Sequence, residues 1–260
     1  MADGVTGALA GTAALVTGGN RGIGLAIARR LVEAGARVCV TGRDQGALEA
    51  AVEELGGGAV GAVGDVADDV DVARAVARAE ALGPLEVVVN NAAAAGPTLP
   101  VHELPPDEFE AVLRTNLLGP FLVAHHALPR MIARGRGAIV NIGSIAGVEG
   151  YPLRSPYSSS KWGLVGFTRT LAGEVGQYGI RVNLVAPGPT EGERSTAVIR
   201  ARAEALGQPF EELRARYEQQ IPLRRFVDAD EVASAVLFLA TDASSGITGQ
   251  SFCVSGGIEA

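Results

Sequence analysis

The chain is poor in the residues that build metal sites and disulfide frameworks. It holds two cysteines and three histidines in 260 residues. Cys39 and Cys253 fall in predicted strands, so we interpret both as small buried apolar side chains rather than as a disulfide. His125 and His126 are adjacent, so on a helix they point in different directions and cannot share one ion as an i, i+4 pair does. We therefore predict no metal.

The chain also lacks an excess of positive charge and a long apolar run. Its net charge is −7, whereas a nucleic-acid partner needs a basic face. No apolar run approaches the roughly 20 residues that span a bilayer. Residues 1–10 show neither a basic start nor a long apolar core, so we predict no signal peptide. With so few cysteines, these absences predict a cytoplasmic protein whose partners are neither nucleic acids nor membranes.

Strand-like and helix-like segments alternate along the chain, with no repeat or linker between them. The predicted strands are 13–17, 36–41, 60–63, 86–90, 138–142 and 181–186. The predicted helices are 25–32, 70–81, 106–134 with a kink at Gly119-Pro120, and 156–176. This alternation predicts one α/β domain over residues 1–260, a Rossmann-type doubly wound parallel sheet of about seven strands.

The charged stretch 190–222 breaks the alternation. It contains two predicted helices, 196–206 and 209–220. Because the stretch follows the segment expected to hold the cofactor, we predict a helical substrate lid that closes the site against water. The alternative is a surface excursion with no gating role.

The first predicted strand leads into a glycine-rich turn and then a helix. Strand, turn and helix in this order form the phosphate-binding unit of a dinucleotide fold, in which the helix N-terminus attracts the pyrophosphate. The spacing is Gly-x-x-x-Gly-x-Gly rather than the commoner Gly-x-Gly-x-x-Gly. The residues expected to hold a cofactor here are Gly18, Asn20, Arg21, Gly22, Ile23 and Gly24.

The end of the second predicted strand governs the choice between NADP(H) and NAD(H). Gly42 stands where NAD-binding folds place an acid for the ribose 2′-hydroxyl. Arg43 follows it, and Arg21 could reach the same point, where a guanidinium would match a 2′-phosphate in geometry and charge. We therefore predict NADP(H). If the strand ends later than predicted, Asp44 is the ribose acid and the preference reverses.

A tyrosine and a lysine carry the chemical signal. Tyr157 and Lys161 are four residues apart in a predicted helix, so they share one face. A lysine cation beside a phenol favours the phenolate and lowers the pKa of the tyrosine, which suits it to exchange a proton with substrate. Ser144 ends the preceding strand region and could hold the substrate oxygen that gains or loses that proton.

Together these motifs resemble the short-chain dehydrogenase/reductase family, and within it the 3-oxoacyl reductase-like ketoreductases. The resemblance extends over residues 10–257. It is carried by segment 17–24, Asn90-Asn91-Ala92-Ala93, Asn116, Ser144, Tyr157-x-x-x-Lys161, Pro187-Gly188, segment 247–250 and Gly256-Gly257. Two positions depart from the family pattern. Ala93 replaces a usual glycine, and Thr190 stands earlier after Pro187-Gly188 than the family's threonine does.

The resemblance implies roles for the matching positions. Tyr157 would be the general acid/base, Lys161 would lower its pKa and hold the nicotinamide ribose, and Ser144 would bind the substrate oxygen. Asn116 would anchor a water that links Lys161 to solvent. The implied cofactor contacts are Asp65 and Val66 at the adenine, Asn91 in the groove, and Pro187, Gly188 and Thr190 at the carboxamide.

We therefore predict an NADP(H)-dependent oxidoreductase that interconverts a ketone and a secondary alcohol. The resemblance also implies a homotetramer with the 156–176 helix at an interface. Three alternatives stay open: a non-catalytic NADP(H)-binding sensor or scaffold, an NAD-dependent alcohol dehydrogenase, and a dehydratase or epimerase of related chemistry.

The substrate pocket is expected near Ala146, Tyr151 and Arg154. Arg154 lies three residues before Tyr157, where it either meets an anionic group of the substrate or is simply solvated. The sequence does not choose among a 3-oxoacyl thioester, a polyketide-like ketone, a sugar and a small cyclic ketone.

Overall fold

The computed structural model describes residues 7–258. The outermost residues of the predicted range 1–260, including most of the segment considered for a signal peptide, lie outside the described residues. The strands are β1 (Ala13–Val16), β2 (Arg37–Gly42), β3 (Ala59–Val63), β4 (Leu85–Asn90), β5 (Gly137–Ile142), β6 (Ile180–Pro187) and β7 (Ser251–Val254). All six predicted strands are confirmed to within about one residue at each end, and β7 lies between the two tail motifs.

The strands form one parallel seven-stranded sheet in the order β3-β2-β1-β4-β5-β6-β7. This order confirms the predicted doubly wound fold. The chain runs outward in one direction from β1 to β3 and in the other from β4 to β7. A crevice therefore opens between β1 and β4 at the carboxyl ends of the strands, the place where such folds bind ligands.

Helices cover both faces of the sheet. They are α1 (Gly22–Glu33), α2 (Gln45–Leu55), α3 (Asp69–Glu80), α4 (Pro106–Leu113), α5 (Gly119–Arg134), α6 (Ser155–Val175), α7 (Glu193–Leu206), α8 (Phe210–Gln220) and α9 (Ala229–Ala240). Alternate residues of each strand face opposite helical layers. In β4, Val87 and Val89 pack with α1 and α9, whereas Val88 packs with α3 and α5.

The long predicted helix 106–134 is interrupted directly before the predicted kink at Gly119-Pro120. A π-helical turn occupies Arg114–Leu118 and contains Asn116. Gly119 and Pro120 instead begin α5, where a proline is tolerated because the first helical amides need no partner within the helix. This π-helical turn, which contains Asn116 and ends just before Gly119-Pro120, separates the two α-helical parts. Helices α2 and α9 were not predicted.

Cys253 corrects a second prediction. Cys39 is buried as expected, but Cys253 is exposed. Cys253 lies on β7, the edge strand, and its neighbours Phe252 and Val254 pack against the core. The alternation of side chains along a strand therefore turns Cys253 to the opposite face, where it is exposed. Within residues 7–258, no helix is long and apolar enough to cross a membrane.

Candidate active site

The turn between β1 and α1 is shaped by close backbone contacts. Gly18 has a φ of 60°, a conformation that favours glycine. A Cβ on Gly24 would lie 2.2 Å from the Gly18 carbonyl oxygen, so no larger residue fits without a shift. Asn91 braces the turn from β4, because its Nδ2 donates to the carbonyls of Thr17 and Gly18 at 3.0 and 2.9 Å. The loops after β1 and β4 are thus tied together.

The N-terminus of α1 faces the crevice without a side-chain cap. Arg21 occupies the N-cap position and is exposed, and no side chain accepts from the first amides of the helix. Those amides, which begin at Gly22 and Ile23, carry the partial positive charge of the helix end. The turn is therefore suited to a phosphate group.

The strand β2 ends one residue later than predicted and leaves Arg43 and Asp44 exposed beside the glycine turn. The strand ends at Gly42, and the Asp44 carboxylate caps α2 by accepting from the Ala47 amide at 2.7 Å. A Cβ on Gly42 would lie 3.0 Å from the Asn20 carboxamide, which fills the space beside this glycine. Arg43 is exposed next to it. The place of an acid is thus taken by a neutral amide with an arginine beside it.

Asp65 and Val66 follow β3 at the same edge of the sheet. The Asp65 carboxylate accepts from the Ala67 amide at 2.9 Å, which holds a tight turn. Val66 packs on Gly119, where a Cβ would lie 3.1 Å away. The two residues thus connect the end of β3 with the start of α5, and their contact with adenine stays a prediction.

Tyr157 lies in the first turn of α6 with cations around its ring. The Lys161 Nζ is 5.7 Å from the ring centroid and donates to the Ile142 carbonyl at 2.7 Å. Burial raises the pKa of Tyr157, but Lys161, Arg194, the Ser144 hydroxyl and Arg154 together hold it below its ordinary value. Burial likewise lowers the pKa of Lys161, and a Tyr157 phenolate would raise it. The phenol and the ammonium therefore titrate as a coupled pair.

Ser144 stands beside this pair at the end of β5. Its Oγ accepts from the Ala146 amide at 3.1 Å, which fixes the hydroxyl in the short 3₁₀ turn Ile145–Gly147. The Ala146 carbonyl in turn accepts from Ser158 on α6 at 2.8 Å. Ala146 is buried, so its backbone contacts, and not an exposed side chain, connect Ser144 to the helix of Tyr157.

The carboxamide of Asn116 forms hydrogen bonds with other groups of the protein. Its Oδ1 accepts from the Ala94 amide at 2.7 Å, and its Nδ2 donates to the Ala94 carbonyl and to Ser160 Oγ at 3.0 and 2.9 Å. Both N–H groups are therefore occupied by α6 and by the loop after β4. The predicted water contact of Asn116 stays a prediction, whereas its contact with that loop is a role that the sequence did not indicate.

The solvated alternative for Arg154 was wrong. Its side chain is only 3% exposed. The guanidinium donates to the Ala95 carbonyl at 2.8 Å and to Thr98 Oγ1 at 3.2 Å, and it lies 5.3 Å from the Tyr157 ring centroid. Burial lowers the pKa of Arg154.

Two further arginines reach this region from α7. The Arg194 guanidinium lies 5.9 Å from the Tyr157 ring centroid and donates to the Ala93 carbonyl at 3.1 Å. Arg202 lies 4.5 Å from the Tyr151 ring centroid. Sequence analysis missed both because both belong to a charged helix with no motif. Only their contacts with residues some 50 to 100 positions away distinguish them.

The remaining predicted residues border the cleft. The Tyr151 hydroxyl lies 2.9 Å from the Tyr217 hydroxyl of α8. Pro187 ends β6, and the Gly188 amide donates to the Val254 carbonyl at 2.9 Å. Thr190 is buried, and its hydroxyl donates to the Gly188 carbonyl at 3.0 Å. Its contact with a carboxamide stays a prediction.

Comparison with known proteins identifies relatives over nearly the whole chain. Residues 18–259 match the family model described as enoyl-(acyl carrier protein) reductase. An inactive 2-(S)-hydroxypropyl-CoM dehydrogenase of Xanthobacter autotrophicus is 40% identical over 236 residues, which cover 90% of this chain and 100% of that protein. Other curated relatives are named ketoacyl or 3-oxoacyl reductases.

Two solved structures share the fold. NAD⁺-bound xylitol dehydrogenase gives a TM-score of 0.92 at 33% identity and covers 96% of this chain and 99% of its own. A variant of actinorhodin polyketide ketoreductase with NADPH gives a TM-score of 0.91 at 37% identity and covers 97% of this chain and 98% of its own. The chain therefore belongs to the short-chain dehydrogenase/reductase family and is an oxidoreductase similar to its 3-oxoacyl reductase-like ketoreductases.

Proposed function

We propose that the chain interconverts a ketone and a secondary alcohol with NADP(H), and that Tyr157 is its general acid/base. The observation that carries the proposal is the group of cations around Tyr157. The cations of Lys161, Arg194 and Arg154 lie within 6 Å of its ring centroid and favour the phenolate. A phenol with a lowered pKa can both donate and accept a proton near neutral pH.

The glycine turn and the uncapped N-terminus of α1 fit a dinucleotide pyrophosphate. For the 2′-phosphate of NADP(H), the support is the absence of an acid at Gly42, the Asp44 carboxylate turned to α2, and Arg43 and Arg21 exposed beside the turn. One structural relative has NADPH bound and another NAD⁺. An NAD-dependent alcohol dehydrogenase is therefore the second candidate.

The nicotinamide cofactor supplies or takes up the hydride when it is bound. In the reductive direction the Tyr157 phenol donates its proton to the substrate oxygen, and in the oxidative direction the phenolate takes it back. The Ser144 hydroxyl holds that oxygen by a hydrogen bond. Lys161 stabilises the phenolate. Asn116 fixes the loop after β4 against α6, which keeps one wall of the cleft in place.

We also propose that residues 190–222 close the site as a lid. Three contacts support this: Arg194 with Ala93, Arg202 with Pro152, and Tyr217 with Tyr151. Each joins α7 or α8 to a loop at the cleft, so movement of the two helices would open or cover the reacting groups. Protection of α7 and α8 from proteolysis when cofactor and substrate bind would support closure, and equal cleavage with and without them would contradict it.

For the assembly we propose a homotetramer with α6 at one interface. The support is an apolar groove between α6 and the helices before it, lined by Leu113, Leu117, Leu118, Phe121 and Phe167. Phe121 is 48% exposed and Trp162 of α6 is 51% exposed. Exposed aromatic side chains beside an apolar groove are typical of surfaces that pair. Light scattering tests this; a monomer at micromolar concentration would contradict it.

The function itself is tested by following NADPH and NADH consumption, each separately, against ketones of several chemical classes. Turnover with NADPH at an efficiency well above that with NADH supports the proposal. An equal or higher efficiency with NADH assigns the protein to the second candidate. Tight NADPH binding without turnover of any ketone would favour the non-catalytic sensor or scaffold.

A further inference from the structure

Three arginines converge on the substrate side of Tyr157, and none of them pairs with a carboxylate in the part of the chain described here. The described partners of Arg154, Arg194 and Arg202 are one threonine hydroxyl and backbone carbonyl oxygens. Arg214 on the neighbouring helix α8, by contrast, pairs with Glu191 at 2.7 Å. The positive charge of the three cleft arginines is therefore not offset by a carboxylate among residues 7–258.

Arg154 shows that this charge is built into the fold. It is 97% buried, and its Nε is buried with no hydrogen-bond partner within residues 7–258. Leu153 directly before it has a φ of 68°, in the left-handed region that a leucine rarely adopts. A strained backbone therefore inserts an unpaired guanidinium beside the reacting phenol. A buried cation without a counterion is costly, so the arrangement indicates a site whose anion arrives with the ligand.

Arg194 is the member of the group that can bind that anion directly. It is exposed in the first turn of α7, and one of its five N–H groups has a described partner, the Ala93 carbonyl. Arg202 lies two helical turns further along α7, beside the Tyr151 and Tyr217 hydroxyls. Arg154 is buried and bonded to Ala95 and Thr98, so it adds positive charge without being the group that the anion reaches first.

We propose that the substrate of this enzyme is a hydroxy or keto compound with an anionic group, a carboxylate, sulfonate or phosphate, that Arg194 binds. Arg202 and Arg154 add to the positive potential at this point. The inference rests on the proposed function, since it names the substrate class of the same site. Arg194 would then have two roles, because the guanidinium that binds the anion also lies beside Tyr157 and lowers its pKa.

The kinetic test uses keto acids and their methyl esters as matched pairs. The probes are 4-oxocyclohexanecarboxylate and 4-oxopentanoate, each against its ester, with wild type, Arg194→Gln and the control Arg200→Gln. Arg200 is exposed on the same helix but faces Phe210. We expect wild type to prefer the acids by about 10- to 100-fold in kcat/KM, the range of a charge-assisted hydrogen bond. Arg194→Gln should remove that preference by raising KM for the acids alone, with NADPH affinity unchanged. Because Arg194 also lies beside Tyr157, its loss should change kcat by the same factor for the acids and for the esters.

Three kinetic outcomes would overturn the inference. The first is equal efficiency on acids and esters in wild type, the second is a preference that persists in Arg194→Gln, and the third is a preference that Arg200→Gln removes equally. Weaker NADPH binding by Arg194→Gln, measured by fluorescence titration, would instead assign Arg194 to the cofactor.

A binding measurement separates this inference from the proposed function. The melting temperature is recorded with each acid or ester at matched ionic strength, without turnover. We expect the acids to stabilise wild type and Arg200→Gln but not Arg194→Gln, and the esters to stabilise none of them to the same extent. If no probe is turned over while this pattern holds, the reaction proposal fails and the anion site stands. If acids and esters act alike, the anion site fails whatever the kinetics show.

Discussion

The cofactor side and the substrate side of the cleft are built from different kinds of residues. On the cofactor side, glycines, Asn91 and Asn20 shape a turn through neutral contacts, and the charged Arg21 and Arg43 stay exposed. On the substrate side, the buried Lys161 and Arg154 and the exposed Arg194 surround Tyr157, and none of the three has an acidic partner among residues 7–258. The first side can bind an anion through geometry alone, because helix amides and the absence of side chains make room for it. The second side holds its positive charge on side chains, of which Lys161 and Arg154 are buried.

Because of this difference, substitutions on the two sides should have different kinds of effect. A substitution on the cofactor side should act by steric clash, so one added methyl group is enough to disturb the glycine turn. A change on the substrate side should act through charge and protons, so it should alter rates and pH profiles while the fold persists.

The largest expected effect is on the substrate side. Tyr157→Phe keeps the ring and removes the proton, so kcat should fall by about 10²- to 10⁴-fold. NADPH affinity should stay unchanged, because the turn at Gly18 is untouched. Tyr178→Phe, at an exposed tyrosine beyond α6, is the matched control and should retain full activity. Near-normal turnover by Tyr157→Phe would refute the acid/base assignment.

Lys161→Met tests the charge directly. Burial raises the pKa of Tyr157, and Lys161 is the strongest of the groups that lower it, ahead of Arg194, Ser144 and Arg154. Ketone reduction needs the protonated phenol, so its rate falls as pH rises through that pKa. Without the lysine, the pKa of Tyr157 should rise, so the fall should move to higher pH. Alcohol oxidation needs the phenolate and should require correspondingly higher pH. Unmoved profiles in both directions would show that the lysine cation does not set the pKa.

Gly24→Ala tests the cofactor side. The added Cβ would meet the Gly18 carbonyl oxygen at 2.2 Å and Asn91 Nδ2 at 2.4 Å. We expect a loss of about 1–3 kcal/mol in the free energy of unfolding, with weaker NADPH binding. Gly173→Ala on α6 meets nothing within 4 Å and should leave both quantities unchanged or slightly improved. Unfolding midpoints and cofactor titration would check this, and equal behaviour of the two variants would contradict it.

Gly42→Asp should have the smallest effect, because it acts at an exposed edge. An acid there should shift the ratio of NADPH to NADH efficiency toward NADH by about tenfold, or 1.4 kcal/mol. Asn20→Ser in the same chain makes room for the new side chain, which would otherwise meet the Asn20 carboxamide. Asp44→Ala should leave the ratio unchanged and cost about 1 kcal/mol of stability through the lost cap of α2. If Asp44→Ala instead changes the ratio of NADPH to NADH efficiency, Asp44 is the ribose acid.

Sequence reasoning succeeded where structure follows local pattern. Six strands, the glycine turn and the helix of Tyr157 follow from apolar periodicity and spacing. The capping box of Asp228 and Glu231 before an apolar run was a signal for α9 that was not used. The exposure of Cys253 could not be predicted from strand periodicity alone. Alternation shows which residues share a face of the sheet, but not which face is covered by a helix.

The proline at Pro120 indicated an interruption of the predicted helix 106–134, but neither its π-helical form nor the arginine group had a local signal. A π-turn depends on tertiary contacts, here those of Asn116 with Ala94 and Ser160. The sequence left Arg154 open between a substrate contact and a solvated charge, and its bonds to Ala95 and Thr98 join residues more than 50 positions apart. Arg194 and Arg154 lie 40 residues apart, and their common proximity to Tyr157 exists only in three dimensions.

The central claim is that the cations of the cleft lower the pKa of Tyr157. The most direct measurement is a spectroscopic titration of tyrosinate absorbance in wild type minus that in Tyr157→Phe, which isolates one of four tyrosines. The account predicts that Tyr157 ionises below the ordinary pKa of about 10, and that the transition moves upward in Lys161→Met. A difference titration at or above the ordinary value in the wild-type protein would contradict it.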